Sequence, residues 1–193
     1  METKTYKLKS VSRLLMHAPR CANKLDPVTI EIGKITSKSS KKKTEEDYRD
    51  LAKLEFASCL YLTDGGKITI PDYVWEGALI SAAKKLRQGS EFKSSVLVTN
   101  VVFLFDGPQS PEKRVEDKSC VDCRPVVLTS GKKRATIMRT RPVFSSWSAE
   151  IEVSFDEKEV HEETLDKSFD IAGTLGVCDY RPKFGRFEVV KNV

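Results

Sequence analysis

The chain has 193 residues, of which 39% are hydrophobic and 32% charged, with a formal net charge of +5. This composition is typical of a globular protein large enough for one good core. We expect a cytoplasmic protein, because no apolar run reaches the roughly 20 residues of a membrane-spanning helix and the first residues lack the apolar segment of a signal peptide.

The first 43 residues predict two strands and a loop. Residues 4–16 alternate between apolar and basic side chains, which indicates a long strand with a break at 10–12. Val28 to Ile32 are consistent with a short second strand. Residues 34–43 are polar and basic without an apolar period, so we expect a loop.

Three segments predict helices. Thr44 is a candidate N-cap followed by three acidic residues, and the helix should run to about Ser58. A second helix should begin at Pro71 or Asp72 and end at Gly89, with one apolar face. A third, amphipathic helix should span residues 162–175.

Further segments predict strands. Residues 59–62 look strand-like, and residues 95–105 are almost all apolar or β-branched, which favours a buried strand. Residues 134–143 are also strand-like. Residues 147–155 alternate cleanly, which predicts one buried and one wet face. A last strand should cover residues 186–191.

Without its insertions, the chain reads strand, helix, strand, strand, helix, strand. This order predicts an α+β protein with a ferredoxin-like (RRM-like) βαββαβ core, whose antiparallel sheet carries its helices on one face. We expect a single domain over residues 1–193, with inserted loops or lobes at about 20–66 and 107–133. The open face of such a sheet is the usual place for a ligand.

A glycine-rich stretch follows the third helix. Gly173, Gly176 and Gly185 allow positive φ and close approach of another backbone. Three cations and three aromatic residues lie in the same stretch, residues 173–190, an arrangement suited to an anionic, flat ligand. The alternative is a helix C-cap, a tight turn and an edge strand with solvated charges.

Two segments carry a resemblance to a known family. Residues 62–83 (LTDGGKITIPDYVWEGALISAA) and 175–187 (LGVCDYRPKFGRF) resemble motifs of the repeat-associated mysterious protein (RAMP) superfamily, which includes CRISPR backbone subunits that coat guide RNA. With Met16-His17 and residues 139–147, the chain resembles bacteriophage-encoded members of that superfamily. The resemblance implies a ferredoxin-like core that binds single-stranded nucleic acid, with RNA favoured, and copies that assemble side by side along the strand.

The predicted nucleic-acid contacts combine cations for phosphates with aromatic platforms for bases. They are His17, Arg20, Lys41, Lys42, Lys43, Arg139, Arg141, Tyr180, Arg181, Lys183, Phe184 and Arg186. Alternatives are a solvated loop for the three lysines and pairing of Arg139 and Arg141 with Glu150 and Glu152 across a hairpin. Core packing is the alternative for Phe184 and the favoured interpretation for Phe187.

Catalytic and metal motifs are weak in this sequence. His17 is the one candidate general base, matching a histidine found near the first strand of some RNA-cleaving RAMP proteins. Cys120 and Cys123 have the spacing of half a zinc site, but no second pair follows at the usual distance. The glycine-rich stretch lacks the Gly-Lys-Ser/Thr ending of a P-loop. We therefore expect no enzyme activity, no cofactor and no metal, and the five cysteines, an odd number, indicate free thiols.

Three functional hypotheses follow. The first is a non-catalytic phage protein that binds single-stranded nucleic acid, with possible homo-oligomerisation. The second is an interaction protein that contacts a host defence complex through protein–protein contacts. The third is a metal-independent ribonuclease that uses His17.

Overall fold

The computed structural model describes residues 1–130 and 133–190. In chain order the elements are β1 (Glu2–Ser10), β2 (Leu14–Leu15), α1 (Pro27–Ser37), α2 (Glu45–Ser58), α3 (Asp72–Ala83), α4 (Gly89–Ser95), β3 (Val96–Phe105), α5 (Pro111–Glu116), β4 (Val121–Ser130), β5 (Lys133–Phe144), β6 (Trp147–Phe155), α6 (Glu162–Leu175) and β7 (Phe187–Val189). The protein is a mixed α+β chain with antiparallel pairing between its long strands.

The chain forms two compact units. The sheet unit comprises Met1–Leu15, Leu62–Asp106 and Phe144–Val193. The hairpin unit comprises Met16–Tyr61 and Gly107–Val143.

The sheet unit is built on a four-stranded sheet with the spatial order β3-β6-β1-β7. Each neighbouring pair is antiparallel, and Tyr6 lies opposite Ile151 while Leu8 lies opposite Ala149. The alternation predicted for the first strand is confirmed, since Tyr6 and Leu8 are buried and Lys7 is exposed. The predicted break also occurs, between β1 and β2.

Helices α3 and α6 pack on the buried face of this sheet. The Tyr6 ring stacks on Phe169 of α6 at a centroid distance of 3.8 Å. Trp75 of α3 meets Phe187 edge to face at 5.8 Å, so the predicted core position of Phe187 is confirmed. These contacts place large aromatic area between helices and sheet, where burial stabilises the fold most.

A polar contact closes the edge of the same core. The Tyr6 hydroxyl donates to Asp166 Oδ1 at 2.6 Å, and Lys4 Nζ donates to the same oxygen at 2.7 Å. Burial raises the pKa of Tyr6 far above its usual value of 10, and the hydrogen bond to Asp166 raises it further.

The C-terminal turn wraps the segment after β1. Gly185 N donates to Arg13 O at 2.8 Å, and Val177 N donates to Gly185 O at 3.0 Å. Gly176 and Gly185 have φ values of 78° and 74°, and a Cβ on Gly185 would overlap the carbonyl oxygen of Val177. The prediction of positive φ and close backbone approach is therefore confirmed at these two glycines.

The hairpin unit begins with two capped helices. The Asp26 side chain accepts hydrogen bonds from Val28 N and Thr29 N, and Pro27 occupies the first helical position of α1. The short strand predicted at Val28–Ile32 is wrong, because this cap and proline start a helix there. The helix predicted from the Thr44 N-cap is confirmed, with a complete capping box to Asp47.

Three other expectations need correction. The loop predicted at 34–43 is instead the end of α1 followed by a 3-10 turn at Ser40–Lys42. Helix α3 ends at Ala83 rather than Gly89, since a 3-10 turn and Arg87 at φ 61° interrupt it and Gly89 begins α4. Residues 59–62 form no strand, although Leu62 makes an isolated bridge to Ile68.

The remaining strand and helix predictions agree with the structure in position. Strand β3 is a terminal strand of its sheet rather than a buried one, and its Leu97 and Leu104 are 51% and 60% exposed. Strand β5 pairs with β4, so Arg139 lies opposite Arg124 and Arg141 lies opposite Asp122. The alternative in which Arg139 and Arg141 pair with Glu150 and Glu152 across a hairpin is therefore wrong. The C-terminal end of the predicted last strand, residue 191, lies outside the described residues.

We expect Gly185→Ala to lower the free energy of unfolding by at least about 2 kcal/mol, because the new methyl group requires positive φ and meets Val177. The matched control is Gly77→Ala in α3, where a Cβ meets nothing within 4 Å and should raise stability by about 0.5–1 kcal/mol. Urea unfolding followed by the fluorescence of Trp75 and Trp147 measures both. Equal effects of the two substitutions would contradict this account.

We expect Tyr6→Phe to lower the free energy of unfolding at neutral pH by about 1 kcal/mol, through loss of the hydrogen bond to Asp166. The raised pKa of Tyr6 means that this contribution is complete below pH 10 and is lost as the pH rises above it. The difference between wild type and variant in urea unfolding should therefore be constant up to about pH 9 and shrink as the pH rises above about 10. Tyr73→Phe, at an exposed position, should show no such pH dependence.

Candidate nucleic-acid interface

Positive charge is concentrated in the hairpin unit. This unit carries 18 lysines and arginines against 11 acidic residues, a formal net charge of +7. The sheet unit carries 15 basic against 17 acidic residues, a net charge of −2. The net charge of +5 for the whole chain is therefore the sum of two units of opposite sign. The cationic unit is the better match for a polyanion.

A groove of about 590 Å³ lies in the hairpin unit between α2 and β5. Tyr48, Leu51, Ala52 and Glu55 of α2 line one wall, since residues three and four apart share one face of a helix. The opposite wall is a continuous run of β5. The lining of the groove includes Lys43, Tyr48, Leu51, Glu55, Met138 and Arg139.

An ion pair lies inside this groove. Arg139 Nη1 donates to Glu55 Oε1 at 2.7 Å, and the backbone N–H of Thr140 donates to Glu55 Oε2 at 3.0 Å. Both carboxylate oxygens of Glu55, a residue only 7% exposed, are thus occupied. Glu55 ties α2 to β5 and fixes the distance between the groove walls, while it neutralises the charge of Arg139.

The rim of the groove is cationic, aromatic and accessible. Tyr48 is 52% exposed and Met138 is 55% exposed, so both offer flat or polarisable surface to solvent. Lys43 lines the groove, with its Nζ 3.5 Å from Thr36 O, and Lys41 and Lys42 are exposed in the preceding 3-10 turn. This arrangement can neutralise phosphates and stack a base in one place.

The remaining predicted contacts of the hairpin unit have mixed settings. His17 is exposed. Arg20 contacts the Asp26 carboxylate, with its Nε 3.1 Å from Oδ2, and so helps to hold the α1 cap. Arg141 is 4% exposed, which places its guanidinium in the interior rather than at a ligand surface. The hairpin unit therefore brings Lys43 and Arg139 into one groove, and Arg141 is not part of its surface.

The other five predicted contacts lie in the sheet unit, on the C-terminal turn. Arg181, Lys183 and Arg186 are exposed, and Tyr180 is 40% exposed at φ 57°. Phe184 is 3% exposed and meets Tyr180 edge to face at 6.3 Å, so it packs in the core and offers no stacking face. The turn is thus a small cationic surface with one accessible aromatic ring.

The open face of the sheet does not have the character that the fold prediction suggested. Lys7 and Lys9 share this face with Glu150, Glu152 and Glu188. Among the described residues of the four strands, no aromatic side chain is exposed on this face, whereas base stacking needs such rings. Its charges and composition therefore do not favour a nucleic acid at this place.

Sequence reasoning missed Tyr48, Glu55 and Met138 as parts of a site. The signal for the first two was present, since both lie in the helix predicted from Thr44 to about Ser58, and a spacing of seven residues places them on one face of it. Neither helical spacing nor strand alternation could show that this face opposes β5 across a gap, because that requires a contact between residues more than 80 positions apart.

The described residues contain no group of three or more His, Cys, Asp or Glu placed to hold a metal ion. All five cysteines are free thiols. Cys120 is buried, whereas Cys123 is exposed and lines the groove. Burial raises the pKa of the Cys59 thiol to about 12, which keeps it protonated and inert near neutral pH.

No protein-family model and no curated protein sequence matches this chain. Among the helices that the structure describes, none combines the length and apolarity needed to cross a bilayer.

We expect Glu55→Gln to lower the free energy of unfolding by about 1–2 kcal/mol, because the Arg139 guanidinium loses its charged partner while keeping part of its solvent contact. The matched control is Glu45→Gln on the same helix, whose pair with Arg49 is exposed and contributes little. Urea unfolding followed by far-ultraviolet circular dichroism compares the two. A larger effect of Glu45→Gln would contradict the role given to Glu55.

Proposed function

We propose that the protein is a non-catalytic single-stranded nucleic-acid-binding protein and that the groove between α2 and β5 is its main contact surface. The observation that carries this proposal is the charge partition: the unit that holds the groove has a net charge of +7 and the other unit −2. Phosphate neutralisation by such a unit releases counterions and supplies sequence-independent affinity.

The groove suggests how a strand would be held. A base stacks on the exposed ring of Tyr48, with Met138 on the opposite wall, and Lys41, Lys42 and Lys43 neutralise the flanking phosphates. Arg139 stays bonded to Glu55 and shapes the groove instead of binding a phosphate. Because stacking is tolerant of base identity, this mode of binding predicts weak sequence preference.

RNA is favoured over DNA by the resemblance of residues 62–83 and 175–187 to motifs of RAMP proteins. A ferredoxin-like sheet unit would agree with that kinship. The order β1, α3, β3, β6, α6, β7 and the spatial order β3-β6-β1-β7 support this assignment, since the split βαβ arrangement has two helices packed on one antiparallel sheet.

The C-terminal turn is a second candidate contact. Tyr180 with Arg181, Lys183 and Arg186 forms a local cationic surface in a unit that is otherwise acidic. Its contribution would be mainly electrostatic, because three cations are exposed there but Phe184 is buried, and Tyr180 alone among these residues has a ring accessible for stacking.

We expect Tyr48→Ala to weaken binding of a long single-stranded RNA by about 1–3 kcal/mol, the range found for loss of one stacked base. The matched control is Tyr73→Ala on α3, since Tyr73 is 53% exposed and Tyr48 52%. Fluorescence anisotropy at low salt measures both affinities, and gel analysis of the recovered RNA should show no cleavage. Equal affinities of the two variants would rule out the groove as the contact surface.

The same titrations over a range of salt test the phosphate contacts. We expect the wild type to show a steep salt dependence and Lys43→Gln to reduce its slope by about 0.7, the value for one phosphate contact on a single strand. Lys158→Gln in the sheet unit removes the same charge and should leave the slope unchanged. A flat salt dependence of the wild type would exclude nucleic acid and leave a protein partner as the ligand.

A further inference from the structure

A second groove in the hairpin unit lies between α2 and α5. Its volume is about 310 Å³, and it shares no lining residue with the groove between α2 and β5. Its apolar lining consists of Leu54, Phe56, Ala57, Pro111 and Val115. Phe56 is fully buried, whereas Leu54, Ala57 and Val115 are only half-buried. Apolar surface on both helices is therefore accessible to a ligand.

The two grooves use opposite faces of α2. Each residue of an α-helix turns the chain by about 100°, so Lys53 and Ala57 point about half a turn away from Glu55. Tyr48 shares the face of Glu55 and lines the first groove, whereas Lys53 and Ala57 line the second. Helix α2 is therefore a wall common to two separate surfaces.

Most carboxylates of the hairpin unit are already bonded. Of its 11 acidic residues, seven bond to a basic side chain or to the backbone N–H groups of a cap: Asp26, Glu31, Glu45, Asp47, Glu55, Asp117 and Asp122. Within residues 1–130 and 133–190, the carboxylates of the other four have no hydrogen bond or ion pair: Glu46, Asp50, Glu112 and Glu116. These four carboxylates are the ones left to bind a ligand.

All four lie on the two helices that form the second groove. Glu112 and Glu116 are exposed, one turn apart on α5, and both line the groove. Glu46 and Asp50 are exposed on α2, on the face that carries Ala57, because spacings of four and seven residues share one face of a helix. In a unit with a net charge of +7, this groove is therefore an apolar surface surrounded by negative charge.

These features exclude several classes of ligand. The carboxylates repel the phosphates of a nucleic acid and the headgroups of anionic lipids. A partner strand cannot be added, because both walls are helices and present no open sheet edge. Lys53 is the one cation among the lining residues, and Asp50 lies three residues before it on the same helix face. The groove therefore suits an apolar partner that carries positive charge.

We propose that this groove docks a basic amphipathic helix of a partner protein. The apolar stripe of that helix packs against Leu54 and Val115, and lysine or arginine side chains beside the stripe meet Glu112 and Glu116. A groove of about 310 Å³ is at the low end of ligand-pocket sizes, so it takes a few anchor side chains and not a whole helix. The carboxylates orient the partner and speed its association, while the apolar anchors provide most of the affinity.

This proposal rests on the hairpin unit alone and does not depend on nucleic-acid binding. Because the two grooves lie on opposite faces of α2, a strand in one leaves the other accessible. An experiment without nucleic acid therefore tests the basic partner separately.

The test is fluorescence anisotropy of the full chain, free of nucleic acid, with a labelled synthetic peptide about three helical turns long. This striped peptide carries leucines at i, i+4 and i+7 and lysines at most other positions. A second peptide has the same composition, but its leucines form no stripe. The protein should bind the striped peptide saturably and at least roughly tenfold more tightly than the second peptide. Equal affinities for the two peptides would overturn the proposal.

Glu116→Lys tests the charge of the groove. It should weaken binding of the striped peptide roughly tenfold, because an attraction becomes a repulsion. The matched control is Glu45→Lys, which changes the net charge of the unit equally at a residue that does not line the groove. It should leave the affinity nearly unchanged. Equal losses in the two variants would indicate a general attraction of unlike charges and would overturn the proposal.

Leu54→Ala tests the apolar contact and should weaken binding of the striped peptide roughly fivefold. The matched control is Leu51→Ala, since Leu51 is also half-buried on α2 but lines the other groove, and its affinity for the peptide should not change. Circular dichroism confirms that each variant is folded, and Glu116→Lys, at an exposed position, keeps the test valid if Leu54→Ala does not fold. If the protein alone self-associates in sedimentation velocity and Leu54→Ala abolishes this, a second copy occupies the groove and the proposal is overturned.

Discussion

The alternation of β1 is the constraint on which the sheet unit depends. Its residues pair on both sides, with β6 and with β7, while Tyr6 and Leu8 point to the helices and Lys7 and Lys9 point to solvent. A slip of one residue would bury two lysines and expose the Tyr6 ring that stacks on Phe169, so only one register is compatible with the core. The register of β6, the position of α6 and the edge presented by β3 follow from it. The C-terminal turn is tied to the residues after β1 by backbone hydrogen bonds.

A different principle organises the hairpin unit. Its defining feature is an excess of positive charge together with a groove whose walls are joined by Glu55. Burying a carboxylate is costly unless its oxygens are satisfied, and here an arginine and a backbone N–H satisfy both. Because both hydrogen bonds come from β5, the buried carboxylate fixes the position of α2 relative to β5. The same pairing gives Arg139 a structural role in the groove. The sequence pattern had predicted that Arg139 binds a phosphate.

The proposed nucleic-acid contact uses a cationic groove with an accessible ring, where electrostatics and stacking provide affinity without sequence readout.

The sequence by itself determined the elements whose signals are local. The Thr44 capping box, the 3.6-residue period of residues 162–175 and the alternation of residues 147–155 each predicted an element that the structure contains. The glycines of the C-terminal turn were predictable too, because positive φ and close approach are demands that few other residues meet. Local signals failed at Val28–Ile32, where β-branched residues favoured a strand and the Asp26 cap with Pro27 produced a helix.

Only the tertiary structure decided which charges and rings are available to a ligand. The sequence predicted Arg139, Arg141 and Phe184 alike as contacts to nucleic acid. In the structure Arg139 is bonded to a glutamate 84 positions away, and Arg141 and Phe184 are buried. The groove beside Tyr48 likewise arises from a pairing between distant segments. Burial and long-range pairing are properties of the folded chain as a whole, and no local pattern of residue types encodes them.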